Sequence, residues 1–265
     1  MQYIDCKKYA QEILDAVKAI PNKKRLVIIS VGDNPASKSY VKGKIKDCEY
    51  CGIPYDHFRC SPNIDSDMLC WLIHSANENP NVSGIIVQLP LPKGMDEKFY
   101  TDQVLITKDV DGFKENSPFK PCTPEGIMYL LRKEVGDLTG KRALVIGRGK
   151  LVGEPIAKML LDADCTVTVA HSKTDDLNFE LQHADIVVSA VGKPNTVNLD
   201  WCYRANIVVD VGVNRDANGK LVGDCYNFGE LHARYMKVTP VPGGIGLMTR
   251  AMLMAHVAGL DVSTI

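Results

Sequence analysis

Apolar runs alternate with longer amphipathic segments along the first half of the chain. The continuous apolar run at Arg25–Val31 predicts a buried strand, and Asn34-Pro35 predicts the N-cap and first residue of a helix that extends to Gly52. The same reasoning predicts strands at Tyr55–Cys60 and Val82–Leu89 and a helix at Asp67–Asn77. Because strands and helices alternate, we predict a mostly parallel sheet covered by helices.

Clustered proline, glycine and aspartate residues at Lys108–Gly112 and Asn116–Pro124 predict a loop between two domains. Beyond it, the pattern predicts helices at Thr123–Val135 and Leu247–Leu260, strands at Ala143–Ile146, Cys165–Ala170, Asp185–Val191 and Asn206–Val211, and a two-residue hairpin turn at Asn218-Gly219 between Val213 and Leu221. We therefore predict two α/β domains with a cleft between them. One contains residues 1–118 and 247–265, and the other contains residues 119–246.

Composition limits the classes of protein to consider. The chain has 265 residues, of which 45% are hydrophobic, so it can bury a sizeable core in each of two domains. Its formal net charge of −1 argues against a nucleic acid or a membrane surface as partner. Since no apolar run approaches membrane-spanning length and the first residues lack the apolar stretch of a signal peptide, we expect a cytoplasmic protein.

The nine cysteines are scattered, and most are expected to be small buried apolar residues in a reducing compartment. Cys48 and Cys51 form the one pair with a spacing typical of metal or redox chemistry. No second pair of this kind completes a four-ligand zinc site. Asp65 and Asp67 stand where a helix should begin, so capping explains them better than ion binding. We predict no metal site.

A glycine turn follows the predicted strand Ala143–Ile146. Its spacing, Gly147-x-Gly149-x-x-x-Gly153, is one residue longer than the usual dinucleotide fingerprint. A strand, a glycine turn and a helix start direct backbone N–H groups and a positive helix end at one place, which suits a diphosphate. The alternative is a strand, turn and helix with no ligand. We predict a Rossmann-type domain that binds a dinucleotide.

The cofactor preference follows from the end of the next predicted strand, where an NAD-binding chain normally carries an acidic residue for the ribose hydroxyls. This chain has His171, Ser172 and Lys173 there, with Arg148 inside the glycine turn. A carboxylate would repel a 2′-phosphate, whereas a hydroxyl and cationic groups would bind it. We therefore predict NADP rather than NAD.

Tyr40 and Lys44 lie four residues apart on a predicted helix and so share one face. Tyr-x-x-x-Lys is also the catalytic pair of short-chain dehydrogenases, but there the pair follows the glycine fingerprint, and here it precedes it. Taken alone, the two residues are better explained by an amphipathic helix that carries a solvated lysine. Their significance depends on the rest of the chain.

Eight segments in order give the chain a resemblance to a known family. They are Val31–Ser37 with Tyr40 and Lys44, Val87–Pro92, Lys108–Gly112, Pro121–Pro124, Gly147–Gly153, His171–Thr174, Asp210–Asn214 and Pro240–Gly246. From nearly end to end, the chain resembles the bifunctional methylenetetrahydrofolate dehydrogenase/methenyltetrahydrofolate cyclohydrolase family. The resemblance implies an N-terminal folate-binding catalytic domain, a Rossmann-type NADP-binding domain and, by analogy, a homodimer.

The resemblance also implies residue roles. Lys44 would be the central catalytic residue, Tyr40 would line the folate face, Gln88 would hydrogen-bond to Lys44, and Asp111 would hold the amino-pyrimidine edge of the pterin, with Asp109 as an ordinary partner nearby. The folate-binding residues would be Ser37, Tyr40, Val41, Lys44, Val87, Gln88, Leu89, Asp111, Pro242, Gly243 and Gly246. The NADP-binding residues would be Gly147, Arg148, Gly149, Val152, Gly153, Ser172, Val191, Gly192 and Val213.

Two reactions of one-carbon folate metabolism, a supplier of purine biosynthesis, are implied. The first passes hydride from 5,10-methylenetetrahydrofolate to NADP+, and the second hydrolyses the methenyl product to 10-formyltetrahydrofolate. Lys44 could act as a base in the second only when neutral, a form that partial desolvation and a cationic substrate both favour. The alternatives are a dehydrogenase without cyclohydrolase activity and a non-catalytic protein that binds NADP or folate.

The chain departs from the family at three positions. Gly149 stands where serine is usual in the glycine turn, Leu247 where proline follows the last glycine loop, and Val213 where isoleucine is common near the nicotinamide. Pro242–Gly246 would let backbone approach the folate or nicotinamide, although a flexible connection between domains is the alternative. The departures concern cofactor affinity rather than the chemistry of Lys44, Gln88 and Asp111.

Overall fold

The computed structural model describes residues 2–227 and 236–265. The strands are β1 (Gln2–Tyr3), β2 (Arg25–Val31), β3 (Tyr55–Cys60), β4 (Val82–Val87), β5 (Arg142–Ile146), β6 (Thr166–Ala170), β7 (Ile186–Ser189), β8 (Val197–Asn198), β9 (Ile207–Asp210), β10 (Asn214–Arg215), β11 (Leu221–Val222), β12 (Cys225–Tyr226) and β13 (Lys237–Val238). The α-helices are α1 (Cys6–Ala19), α2 (Pro35–Cys51), α3 (Ser66–Glu78), α4 (Glu97–Asp102), α5 (Cys122–Val135), α6 (Gly153–Leu161), α7 (Leu177–His183) and α8 (Ile245–Ala258). Short 3-10 turns occur at Ile106–Lys108, Leu199–Trp201 and Val262–Thr264.

Parallel sheets organise two compact units. The six-stranded unit contains residues 2–10 and the described part of 123–249, with strand order β1-β13-β9-β7-β5-β6. All neighbours in this sheet are parallel. Leu144, Val187 and Val208 are almost fully buried in its core. This arrangement confirms the predicted α/β class with a parallel sheet.

The three-stranded unit contains residues 11–122 and 250–265. Its sheet has the order β3-β2-β4, again parallel throughout. Ile29 of β2 packs in one core with Leu69 and Ile73 of α3. Both faces of β2 are buried, which explains why its sequence is a continuous apolar run rather than an alternating one.

Local signals located the elements of this unit well. β2 and β3 have the predicted bounds. Asn34 caps α2 by accepting hydrogen bonds from the backbone N–H groups of Ala36 and Ser37, and Gly52 ends the helix with a φ of 65°. Asp65 caps α3 in the same way, which confirms its predicted role.

Some predicted strands extend too far. β4 ends at Val87 instead of Leu89, because Pro90 has no N–H and cannot continue a ladder. β7 ends at Ser189 because the N–H groups of Val191 and Gly192 donate to the Asp224 side chain instead of to a strand. In both cases the chain leaves the sheet at its carboxyl edge.

The predicted two-residue hairpin turn is wrong. β10 and β11 do pair antiparallel, but Arg215 pairs with Leu221, so residues 216–220 form a longer loop. The Asp216 carboxylate closes this loop by accepting hydrogen bonds from the N–H groups of Asn218 and Lys220. A side chain that bonds to its own turn replaces the expected tight geometry.

The amino-terminal segment adds an edge strand to the six-stranded sheet. β1 pairs with β13, so Gln2 and Tyr3 extend that sheet. The two residues carry no periodic pattern, so their pairing has no sequence signal. Across the described residues, no helix combines the length and apolar character needed to cross a membrane.

Candidate active site

Helix α2 places three predicted folate-binding side chains on one face. Ser37, Tyr40 and Lys44 follow each other at intervals of three and four residues. Ser37 and Lys44 are buried, and the exposed fraction of Lys44 is 6%. A buried lysine is rare unless it has a task. Neither a hydrogen bond nor an ion pair holds its ammonium group among the described residues.

The loop after β4 lies beside this helix. The backbone N–H of Gln88 donates to Ile29 O (2.8 Å), which extends the sheet by one bond. The side-chain amide of Gln88 donates to Leu89 O (2.7 Å), and Ser37 Oγ donates to the same carbonyl (3.2 Å). Gln88 Oε1 is buried without a hydrogen-bond partner. An acceptor without a partner at this point can accept a hydrogen bond from an ammonium group or a ligand.

The two aspartates of the Lys108–Gly112 segment have different environments. Asp109 is buried, its Oδ2 accepts a hydrogen bond from the Lys114 N–H (2.9 Å), and burial raises its pKa. Asp111 is half-buried, and among the residues that the structure describes only its backbone oxygen bonds internally, to the Cys122 N–H. Gly112 has a φ of 72°, and a Cβ there would lie 2.4 Å from Lys120 O. Asp109 therefore builds the turn, while the Asp111 carboxylate is available for a ligand.

Sequence reasoning missed Arg250, which contacts α2 next to Lys44. Its Nε lies 3.0 Å from Asp47 Oδ2, but the N–H is not directed at the carboxylate, so the pair is ionic without a well-aligned hydrogen bond. A Cβ on Gly43 would lie 1.7 Å from Arg250 Nη1. Burial raises the pKa of Tyr40, and the nearby Arg250 opposes this shift. The one available signal was a glycine inside a helix.

The glycine turn of the six-stranded unit is tight for two reasons. Gly147 has a φ of 104°, and a Cβ there would lie 2.5 Å from Ala190 O. A Cβ on Gly153 would lie 2.2 Å from Gly147 O. Helix α6 starts after Val152 without a side-chain cap. The Glu154 N–H already donates to Gly149 O (3.1 Å), and Pro155 has no N–H, so a phosphate would approach the start of α6 beside Gly147, Gly149 and Gly153, which carry no side chains. Gly149 has open space around it.

Exposed polar groups follow β6, where the sequence predicted recognition of a 2′-phosphate. Ser172, Lys173 and Arg148 are all exposed. His171 is fixed locally, because its N–H donates to Thr174 Oγ1 and its Nδ1 accepts from the Lys173 N–H. None of the positions 171–173 is acidic. The residues present fit the 2′-phosphate of NADP.

Two predicted cofactor-binding valines stand at the carboxyl edge of the sheet. Val191, after β7, is 40% exposed, and Val213, after β9, is 56% exposed. Gly192, which follows Val191, is exposed with a φ of 67°. Ligands of open α/β sheets bind outside the carboxyl ends of the strands, so exposed apolar side chains there fit a cofactor face.

The last glycine loop of the six-stranded unit is shaped by close backbone approaches. Pro242, which follows a cis peptide bond, and Gly243 are exposed, and Gly246 is half-buried. A Cβ on Gly244 would lie 2.2 Å from Pro240 O. The loop therefore has a fixed shape of its own. Val41 and Val87, by contrast, are buried in the core of the other unit.

The cysteines are free thiols. Burial raises the pKa of Cys48 to about 12 and that of Cys51 to about 11. Each bonds separately, Cys48 to Met254 Sδ and Cys51 to Leu14 O. Because the thiolate is the reactive form, thiols with a pKa this high are poor nucleophiles. No group of three metal-binding side chains occurs in the part of the chain that the structure describes.

Two family profiles match the chain. One is the tetrahydrofolate dehydrogenase/cyclohydrolase catalytic domain, over residues 4–111, and the other is the NAD(P)-binding domain of the same proteins, over residues 121–262. The chain belongs to this family. Among curated members of the tetrahydrofolate dehydrogenase/cyclohydrolase family, the bifunctional protein FolD of Anaeromyxobacter dehalogenans is 44% identical over 98% of each chain.

Solved structures of this family agree in fold. The bifunctional enzyme FolD of Campylobacter jejuni is 40% identical, with a TM-score of 0.89 over 96% of each chain. FolD of Trypanosoma brucei, solved with NADP and an inhibitor, is 31% identical, with a TM-score of 0.88 over 96% of this chain and 95% of that one. The predicted two-domain fold, with a Rossmann-type domain, is thereby confirmed.

Proposed function

We propose that this protein oxidises 5,10-methylenetetrahydrofolate with NADP+ and hydrolyses the resulting 5,10-methenyltetrahydrofolate to 10-formyltetrahydrofolate. The observation that carries the proposal is the buried Lys44 residue on α2, in the same unit as Gln88, whose Oε1 has no hydrogen-bond partner among the described residues. Membership of the family supports both activities. The relatives named above are described as bifunctional, which favours this proposal over a dehydrogenase that lacks the hydrolytic step.

The folate chemistry is assigned to side chains of the three-stranded unit. Lys44, when neutral, takes a proton from the water that attacks the methenyl carbon, and Gln88 Oε1 orients Lys44 by accepting a hydrogen bond. Tyr40 lines the folate face. Asp111 fixes the pterin, since a carboxylate accepts two parallel hydrogen bonds from an amino-pyrimidine edge. The remaining folate contacts of this unit are assigned to Ser37, Val41, Val87 and Leu89. Pro242, Gly243 and Gly246, in the last glycine loop of the six-stranded unit, stay predicted folate contacts on the family resemblance alone.

The cofactor is assigned to the six-stranded unit. Bound NADP+ supplies the hydride acceptor. Gly147, Gly149, Val152 and Gly153 present backbone to the diphosphate, and Arg148 and Ser172 hold the 2′-phosphate. Val191, Gly192 and Val213 form an apolar face that excludes water from the reacting ring. Selectivity for NADP+ over NAD+ therefore rests on the exposed cationic and hydroxyl groups after β5 and β6.

Lys44→Met tests the catalytic assignment. Since general-base catalysis contributes roughly 100-fold or more, we expect hydrolysis of the methenyl substrate to fall by at least about that factor, while NADP+ binding is unchanged. Lys42→Met on the exposed side of the same helix is the matched control and should retain both activities. Full hydrolytic activity in Lys44→Met would remove Lys44 from the mechanism. Absence of both activities in the wild type would overturn the proposed function.

Three assignments complete the proposal. Residues 1–118 and 247–265 are the folate-binding domain and residues 119–246 the NADP-binding domain, the protein is a homodimer, and it acts in the cytoplasm. Sedimentation equilibrium of the full chain tests the dimer. Fractionation of cells that express it tests the compartment.

A further inference from the structure

Asp224 is a fully buried carboxylate in the six-stranded unit, with an exposed fraction of 0%. Its Oδ2 accepts three hydrogen bonds, from Ser189 Oγ (2.9 Å), Val191 N (3.0 Å) and Gly192 N (3.2 Å). The donors come from the end of β7 and the loop that leaves it. The carboxylate therefore determines where the chain turns away from the sheet.

The second oxygen extends the same arrangement. Asp224 Oδ1 accepts hydrogen bonds from Lys193 N (3.0 Å) and from Asn214 Nδ2 (2.9 Å). Backbone N–H groups of three consecutive residues, 191–193, thus surround one carboxylate, in the manner of an anion-binding nest. Asn214 belongs to the segment after β9. One side chain therefore ties together the loops that follow β7 and β9.

The position of Asp224 is also fixed by hydrogen bonds of its own backbone. The Asp224 N–H donates to Asp210 Oδ1 (3.0 Å), and Asp224 O accepts from the Thr196 N–H (2.8 Å). A Cβ on Gly212 would lie 2.2 Å from Asp224 Oδ1, and one on Gly223 would lie 2.0 Å from Asp210 Oδ2. Glycine at both positions is what allows the two carboxylates to lie this close to backbone.

A carboxylate is tolerated in a protein core only when its oxygens are well bonded, as those of Asp224 are by five hydrogen bonds. An apolar residue would fill the same space without that requirement. The donors to Asp224 lie at the carboxyl edge of the sheet, next to the exposed Val191 and Val213. When the loop at that edge is already rigid, less of its conformational entropy is lost as a ligand binds.

We propose that Asp224 is a positioning residue for the dinucleotide. It fixes the backbone of residues 191–193 and, through Asn214, that of the Val213 segment, so that the cofactor face exists before the cofactor arrives. This inference rests on the proposed function, since it takes Val191, Gly192 and Val213 as NADP contacts. Asp224 itself touches neither substrate nor cofactor in this account.

Asp224→Asn in the full chain is the test. Asparagine has one acceptor oxygen, so either the N–H groups of Val191 and Gly192 or those of Lys193 and Asn214 lose their acceptor. Hydrogen bonds to a charged group are the strong ones, so we expect the Kd for NADP+, measured by isothermal titration calorimetry, to rise about 10- to 100-fold. Hydrolysis of the methenyl substrate without NADP+ is the check that the variant folds.

Asp185→Asn is the matched control. Asp185 precedes β7 at the opposite end of the same strand, where its Oδ2 accepts a hydrogen bond from the Arg142 N–H (2.9 Å). The Asp185 side chain is 19% exposed and also pairs with Arg204. Because this end of the strand is remote from the carboxyl edge of the sheet, we expect the Kd for NADP+ to stay within about twofold of the wild type. An equal loss of affinity in both variants, or an unchanged Kd in Asp224→Asn, would overturn the inference.

Ser189→Ala decides the matter if Asp224→Asn does not fold. It removes one donor from Asp224 Oδ2 and leaves the carboxylate in place. We expect the Kd to rise about two- to tenfold, because the carboxylate loses one of its five hydrogen bonds and keeps the four that hold the loops, and an unchanged Kd would contradict the inference. A wild type that binds NADP+ without either folate activity would overturn the proposed function alone, because the comparison of affinities would still hold.

Discussion

Gly43→Ala is expected to destabilise the protein, although the same change in an ordinary helix stabilises it. A Cβ at this position would lie 1.7 Å from Arg250 Nη1, 2.7 Å from Arg250 Cζ and 3.1 Å from Arg250 Cδ. The backbone of α2 cannot yield without distorting the helix, so the guanidinium group has to move. Its displacement removes the close positive charge from Asp47.

Two effects of opposite sign set the magnitude. Alanine in place of glycine in a helix stabilises by roughly 1 kcal/mol. Against this, the Asp47 side chain is only 9% exposed, and moving its counter-charge away costs about 1–3 kcal/mol, less than removing one partner of a buried ion pair because the guanidinium is displaced rather than lost. The net expectation is a loss of about 1 kcal/mol in the free energy of unfolding. In an Arg250→Ala background the clash is absent, so Gly43→Ala should instead stabilise by about 1 kcal/mol.

Urea denaturation of the four proteins of this double-mutant cycle measures the coupling between the two positions. The expected interaction energy is about 2 kcal/mol, because Gly43→Ala should destabilise the wild type by about 1 kcal/mol and stabilise Arg250→Ala by about 1 kcal/mol. Stabilisation by Gly43→Ala in both backgrounds would refute the argument, because it would mean that the guanidinium moves without cost.

The pH dependence of stability provides a second check. Burial raises the pKa of Asp47, and Arg250 opposes that shift. The cost of Arg250→Ala should therefore be smaller near pH 4, where a protonated Asp47 needs no counter-charge, than at pH 7.

Three further changes test other parts of the molecule. Lys108 Nζ donates to three backbone carbonyls at and just after the end of α3, at 2.5–3.0 Å. Lys108→Met should therefore lower the free energy of unfolding, measured in urea, by about 1–3 kcal/mol. An unchanged free energy would show that water replaces the ammonium group. Gly153→Ala should weaken NADP+ binding at least about tenfold in calorimetry, because the added Cβ would meet a backbone oxygen. Gly149→Ser is the comparison, since the position has space for a side chain and should retain affinity. Equal effects of the two substitutions would contradict the described turn. Burial, and to a lesser extent the charge of Arg59, lowers the pKa of His57 in the folded protein. As the pH drops below about 6.5, His57 is therefore protonated in the unfolded chain before it is protonated in the folded one, and the free energy of unfolding should fall. His57→Gln should remove that part of the pH dependence, and an unchanged profile would exclude His57 as its source.

The fold was predictable wherever the signal is local. The apolar run of β2 and the caps of α2 involve residues within a few positions of each other, and the structure has them where the sequence indicated. Errors occur where side chains from distant segments decide the outcome. β7 ends early because Asp224, far along the chain, takes its next N–H groups. The Asn218-Gly219 turn is longer than expected because the Asp216 carboxylate organises it.

The same distinction applies to the candidate site. Lys44 and the glycine turn were found because they lie in spaced motifs, whereas Arg250 and Asp224 stand in no motif that predicts their contacts. Both appear in the sequence only indirectly, as glycines with no turn to explain them: Gly43 within a helix, and Gly212 beside a strand. In the structure each of these glycines marks the place where a charged side chain approaches backbone. A glycine without a local conformational reason is therefore a usable sequence signal for a distant charged partner, although it does not say which residue that partner is.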